Sequence, residues 1–163
     1  MRSMIAVGMT VLACTLQGCQ MERETPIIAA APSPESIVIA SQSERTMRLR
    51  KQARAYAERL DQGRCAPGRE RADFDDALSA VESNLPALRN AESASPVIHD
   101  AQLASDAEQV LAEVRLDVAD AARTGGCSDI ANSQYQVIVR TFRGPAFARY
   151  RQRAEMGLSA MQL

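Results

Sequence analysis

Four cysteines, one histidine and 20 acidic residues are the side chains of this 163-residue chain most suited to chemistry. Cys14, Cys19, Cys65 and Cys127 form no Cys-x-x-Cys pair, and His99 alone does not complete a Cys/His zinc set. A hydrolytic triad needs an imidazole base. The one acidic residue within four positions of His99 is Asp100, which is adjacent and so points elsewhere on a helix. Asp73, Asp75, Asp76, Asp117 and Asp120 supply carboxylates of the kind a glycosidase pairs. Their helical spacing puts most of them on the solvated face opposite the apolar stripe. The chain has no P-loop, GxGxxG, GxSxG or EF-hand loop. The expectation is a protein that is not an enzyme and uses no cofactor and no metal.

The first residues read as an address. Arg2 is the only charge before Glu22, and Met4 to Leu16 are apolar apart from Thr10 and Thr15. The stretch is shorter than the roughly 20 residues a spanning helix needs, and it ends in small residues, as a secretory signal peptide does. Its end, Leu16-Gln17-Gly18-Cys19, resembles the bacterial lipobox. That resemblance implies cleavage after residue 18 and acylation of Cys19, by palmitate among other chains. Multiple acyl chains give stable anchoring where one is marginal. Gln20 stands where an aspartate would imply inner-membrane retention, so the resemblance implies an outer-membrane lipoprotein facing the periplasm. Two alternatives stay open: a second box at Val11-Leu12-Ala13-Cys14, and a plain exported or membrane-buried segment with Cys19 incidental.

Residues 19–43 read as a tether, with Pro26, Pro32 and Pro34 among alanines and serines. Ile27-Ile28 and Ile37-Val38-Ile39 in it are candidates for docking on the domain or pairing as short strands. Residues 44–163 read as the folded domain. Composition favours helices, with 28 alanines and only 4% aromatic residues. A first helix starts near Ser41 or Ser43, where Ser41 and Glu44 fit a capping box. It carries Leu49, Ala53, Tyr56, Ala57 and Leu60 on one face and stops at Gly63. A second carries Phe74, Ala77, Leu78, Val81, Leu85 and Leu88, with a break near Ser83-Asn84 because Pro86 lies inside the pattern.

A third helix opens at Ser95-Pro96, with Asp100 early, and holds one seam from Val97 through Ala101, Ala104, Ala107, Leu111, Val114 and Val118 to Ala121. Gly125-Gly126 stop it. A fourth opens at Ser128-Asp129 with Ala131, Tyr135, Ile138 and Phe142, and Gly144-Pro145 interrupts it. A last segment places Phe147, Tyr150, Ala154, Leu158 and Met161 on one face. The fold class is therefore all-α, a small bundle of four to five helices.

In an exported protein Cys14 leaves with the leader and Cys19 carries lipid, which leaves Cys65 and Cys127 to form a disulfide. Each follows a glycine stop, and in an up-down-up run the first and third helices end at the same pole. A loop of about 60 residues closed this way stabilises the fold by roughly 4 kcal/mol in the chain-entropy model. The layout of lipobox, tether, helix ending in Gly-x-Cys, two helices and a Cys opening a further helix resembles the α-helical pilotins of type II secretion. The resemblance covers residues 43–142. It implies a small disulfide-tied bundle that binds the C-terminal segment of a secretin subunit and guides it to the outer membrane. It transfers no binding residue.

The whole-chain charge of -1 gives no case for nucleic acid as a partner. Charge is segregated all the same. Residues 44–64 hold seven basic and three acidic side chains, 69–123 five and twelve, and 129–163 five and two. Basic outer helices that neutralise acidic middle ones are one account. A basic rim for an acidic partner, anionic lipid or lipopolysaccharide is the other. Its residues are Arg140, Arg143, Arg149, Arg151 and Arg153, with Phe147 and Tyr150 on the adjoining face. The segment from Gly144 to Leu163 is accordingly the expected partner contact, its apolar face needing a surface within the bundle or outside it. The expected function is a protein-binding adaptor or assembly factor for another envelope or secreted protein, held to the membrane through Cys19. The alternative is an immunity or inhibitor lipoprotein that blocks a toxic enzyme in the periplasm.

Overall fold

A computed structural model describes residues 34–94 and 98–162, the side chains of 34–40 and 91–101 excepted. The expectations for the leader, Cys14, Cys19, the tether up to residue 33 and the Ser95-Pro96-Val97 cap lie outside the described residues. So do those for the side chains of Ile37, Val38, Ile39, His99, Asp100 and Ala101.

Among the described residues the chain is all-helical. The elements are α1 (Pro34–Asp61), α2 (Arg69–Glu82), α3 (Leu85–Ala94), α4 (Ile98–Thr124), α5 (Ser128–Thr141), a single 3-10 turn (Pro145–Phe147) and α6 (Ala148–Ala160). With α2 and α3 taken as two halves of one broken helix, the expected bundle of four to five helices is a bundle of five. The break falls at Ser83-Asn84. Pro86, the second residue of α3, has no N–H to continue the ladder and suits a helix's first turn instead.

The start of α1 corrects the sequence reading. The helix begins at Pro34, well before Ser41 or Ser43, so the last part of the expected tether is helical. Pro34 fits a first turn, and residues 35–43 hold no further proline or glycine to stop propagation. Gln42 is accordingly an interior residue of α1. Its side chain is buried and accepts a hydrogen bond from Asn84 Nδ2 (2.8 Å) at the α2–α3 break.

α4 is the hub, packed against α1, α3, α5 and α6. From Val110 to Ala119 it buries Leu111, Ala112, Val114, Leu116 and Val118 as well, on more sides than the single expected seam. Its alanines, with Ala53, Ala77, Ala131 and Ala154 on neighbours, let the helices approach closely. The chain has three Phe and three Tyr, and all six lie in the core: Tyr56, Phe74, Tyr135, Phe142, Phe147 and Tyr150. A second buried polar side chain, after Gln42, is Arg115, only 9% exposed. It donates to Glu82 Oε1 (2.7 Å) on α2 and to Gln134 Oε1 (2.9 Å) on α5. A buried guanidinium needs such partners, because an unmatched one would cost several kcal/mol.

One pole is tied covalently. Cys65, in the α1–α2 loop, is joined to Cys127, the residue before α5, with Cα atoms 5.3 Å apart. The glycine stops work as expected. Gly63 and Gly126 have φ of 72° and 76°, the left-handed region that ends helices without a Cβ penalty. Gly125 lies so close to the Leu60 carbonyl that a Cβ there would strike the backbone. α1 and α4 therefore run parallel and finish side by side.

Candidate functional site

The C-terminal segment is a packed fifth helix. Phe147 lies against Phe142 (ring centroids 5.2 Å) and Tyr150 (6.4 Å), and all three are buried. Ala154 and Gly157 face inward, and Leu158 and Met161 pack partly on the core. The apolar face thus finds its surface within the bundle. Gly157 was not singled out in the sequence, yet it lets α6 close on α5, since a Cβ there would run into the Tyr135 ring.

The expected cationic face divides in two, because successive arginines on α6 point to opposite flanks. Arg149 and Arg153 take the flank beside α4. Arg149 lies over the Tyr150 ring (4.6 Å) and donates to its hydroxyl (2.5 Å). Arg153 pairs with Asp120 Oδ2 at 2.7 Å. The groove there holds about 350 Å³ and is lined by Glu113, Leu116, Asp117, Arg149, Tyr150 and Arg153. On the far side of the same α4 carboxylates, Arg50 of α1 pairs with Glu113 at 2.8 Å. Glu113, Asp117 and Asp120 form an acidic floor between the basic walls of α1 and α6.

That floor shapes its own titration. Partial desolvation of the Asp117 carboxyl, an exposed residue between the walls, holds it above the usual carboxylate range. The neighbouring charge of Glu113 adds to this, Arg153 opposes it, Asp120 adds and Arg50 opposes. Asp120 is not simply solvated, as its helical position suggested. Its Oδ1 accepts from the buried Tyr135 hydroxyl (2.5 Å), and Arg123 Nε donates to the same hydroxyl (3.4 Å). Burial, then the bond to Asp120, raises the Tyr135 pKa. This cluster ties α4, α5 and α6 together.

Arg140, Arg143 and Arg151 form the other set, at the corner where α5 turns into α6. Arg143 Nε donates to the Arg140 carbonyl (3.0 Å), and Arg151 Nη1 donates to the Arg143 carbonyl (2.8 Å). Arg140 Nη2 donates to Gln136 Oε1 (3.2 Å). The carbonyls at a helix C-terminus carry partial negative charge and hold cations. None of the three closes an ion pair on a carboxylate among the described residues, whereas Arg50, Arg59, Arg89, Arg115 and Arg153 all do. The corner is a fixed, solvent-facing set of guanidinium donors suited to carboxylate or phosphate oxygens.

Interhelical neutralisation therefore explains much of the charge segregation and leaves out this corner. The acidic floor was the missed half of the pattern. Its signal is the spacing of Glu113, Asp117 and Asp120 along one flank of α4. Among the described residues there is no cluster of His, Cys, Asp and Glu that would hold a metal ion. No helix among them is long and apolar enough to cross a membrane. No family model, characterised protein or solved structure matches this chain.

Proposed function

We infer that this is a lipid-anchored protein of the bacterial cell envelope, held to the outer membrane through Cys19 and facing the periplasm, whose bundle binds another envelope or secreted protein. The role we assign is an adaptor or assembly factor of the pilotin kind, acting by binding rather than by catalysis. The leader with Leu16-Gln17-Gly18-Cys19 supports the anchor. The observation that carries the binding reading is the α5–α6 corner, where Arg140, Arg143 and Arg151 close no ion pair among the described residues, Arg143 and Arg151 being held by backbone carbonyls and Arg140 by the Gln136 side chain. With every aromatic residue in the core, arginine is the contact residue this surface has to offer, and arginine is enriched where binding energy concentrates. Phe147 and Tyr150 serve the contact indirectly, by fixing α6.

Two measurements test the reading. Palmitate labelling should disappear in Cys19→Ala, and unchanged labelling would remove the anchor from the account. Affinity capture from envelope extract should recover a partner at low salt that the R140E/R143E/R151E variant fails to recover. Equal recovery by that variant would place the contact elsewhere on the bundle. Recovery of a secreted hydrolase would assign the immunity role instead.

A further inference from the structure

A second cationic surface lies on α1, and interhelical pairing does not account for it. Between Arg45 and Arg54 the chain has five basic residues and no acidic one. Two arginines of α1 are matched by carboxylates of neighbouring helices, the exposed Arg50 by Glu113 and the half-buried Arg59 by Glu70. Other basic residues of the stretch are not. Arg48, Lys51 and Arg54 are exposed, and none closes an ion pair among the described residues. Lys51 and Arg54 also border the groove above Glu113 and Asp117 without pairing there. Glu44 and Glu58 border the stretch at its two ends. Met47, 61% exposed, directly precedes Arg48 and is, with Met156, one of two large apolar side chains left in solvent among the described residues.

We propose that this outer face of α1 lies on an anionic bilayer, with Arg48, Lys51 and Arg54 on lipid phosphates and Met47 at the headgroup boundary. A helix with basic residues on its solvent face and an apolar side chain among them matches a membrane surface in charge and in polarity. Position favours a bilayer over an acidic protein. α1 is the element next in sequence to the segment that bears Cys19, with residues 20–33 between them. The preference for a bilayer rests on the anchor proposed at Cys19, whereas the electrostatic contact itself forms with or without a lipid chain. Basic groups near an anionic surface each raise binding about fivefold, so three together contribute about 100-fold.

The test is co-sedimentation of the full chain carrying Cys19→Ser, which removes acylation, with two kinds of vesicle. One is phosphatidylcholine alone, and the other is equimolar phosphatidylcholine and phosphatidylglycerol. R48E/K51E/R54E, which removes three basic groups and adds three acids, should lose more than about 100-fold in binding to the anionic vesicles and nothing on the neutral ones, with an unchanged melting temperature. R48Q/K51Q/R54Q should lose in the same direction by less, which keeps the test valid if charge reversal disturbs the fold. High salt should erase the difference between parent and variants. Equal binding by all three proteins to the anionic vesicles would overturn the proposal. So would a loss that follows R140E/R143E/R151E instead, or a loss of protein capture from envelope extract with vesicle binding intact.

Discussion

The two ends of α5 are built on opposite plans. At its N-terminal end, Cys127 is locked to Cys65, and Gly125 lies against the Leu60 carbonyl. Backbone there is pressed on backbone, and little can change without a cost to the fold. At its C-terminal end, Arg140, Arg143 and Arg151 are held by carbonyls while their remaining donors face solvent. Nothing in the core depends on their charge. The contrast separates residues that keep the bundle together from residues that are free to meet something else. On α6 the two plans sit side by side, with Phe147 and Tyr150 in the core and Arg151 at the corner.

The largest effect should come from the locked end. Cys65→Ser opens a loop closed across a separation of 62 residues. It should cost roughly 4 kcal/mol in the chain-entropy model, read as a lower melting temperature that reducing agent reproduces in the parent protein. A variant that melts with the parent would mean that packing alone holds this pole. Next is the α5–α6 contact. Gly157→Ala drives a methyl group into the Tyr135 ring, and overpacking of this kind costs about 1–3 kcal/mol. Chemical denaturation should show the loss, and an unchanged midpoint would mean that α6 is loosely held.

The helices themselves were readable in the sequence, because apolar residues at helical spacing and glycine stops are local signals. Leu49, Ala53, Tyr56 and Leu60 are all buried as their spacing requires, and Pro86 marks the break between α2 and α3. The cystine followed from two such stops meeting at one pole. Three features were not legible, each for a physical reason. Pro34 is equally at home in an extended tether and in a first helical turn, so the start of α1 was placed too late. The burial of Gln42 and Arg115 depends on partners 42 and 19 to 33 residues away in Asn84, Gln134 and Glu82. The division of the C-terminal arginines depends on how α6 is rotated against α4, which Gly157 and Tyr135 set through a contact that no local pattern announces.

A smaller effect tests the acidic floor that divides those arginines. The Asp117 carboxyl is raised, so the folded state holds its proton more tightly than the unfolded state does. Its charged form therefore costs stability once the pH is above its folded pKa, and the cost fades as the pH falls through the carboxylate range. Asp117→Asn should accordingly stabilise the protein at neutral pH, by less than about 1 kcal/mol for so exposed a group. The gain should fade through the carboxylate range and vanish below about pH 3, where the carboxyl is protonated in both states. A variant less stable than the parent at neutral pH would show that Arg50 and Arg153 outweigh burial and the neighbouring acids.

The smallest expected change in stability belongs to the corner, and there the central claim is most exposed. The measurement is the melting temperature and the partner capture of R140E/R143E/R151E, taken on the same preparation as the parent and Cys65→Ser. The account predicts a melting temperature close to the parent's, far above that of Cys65→Ser, with capture of the partner lost. A melting temperature as low as that of Cys65→Ser, or capture equal to the parent's, would contradict it.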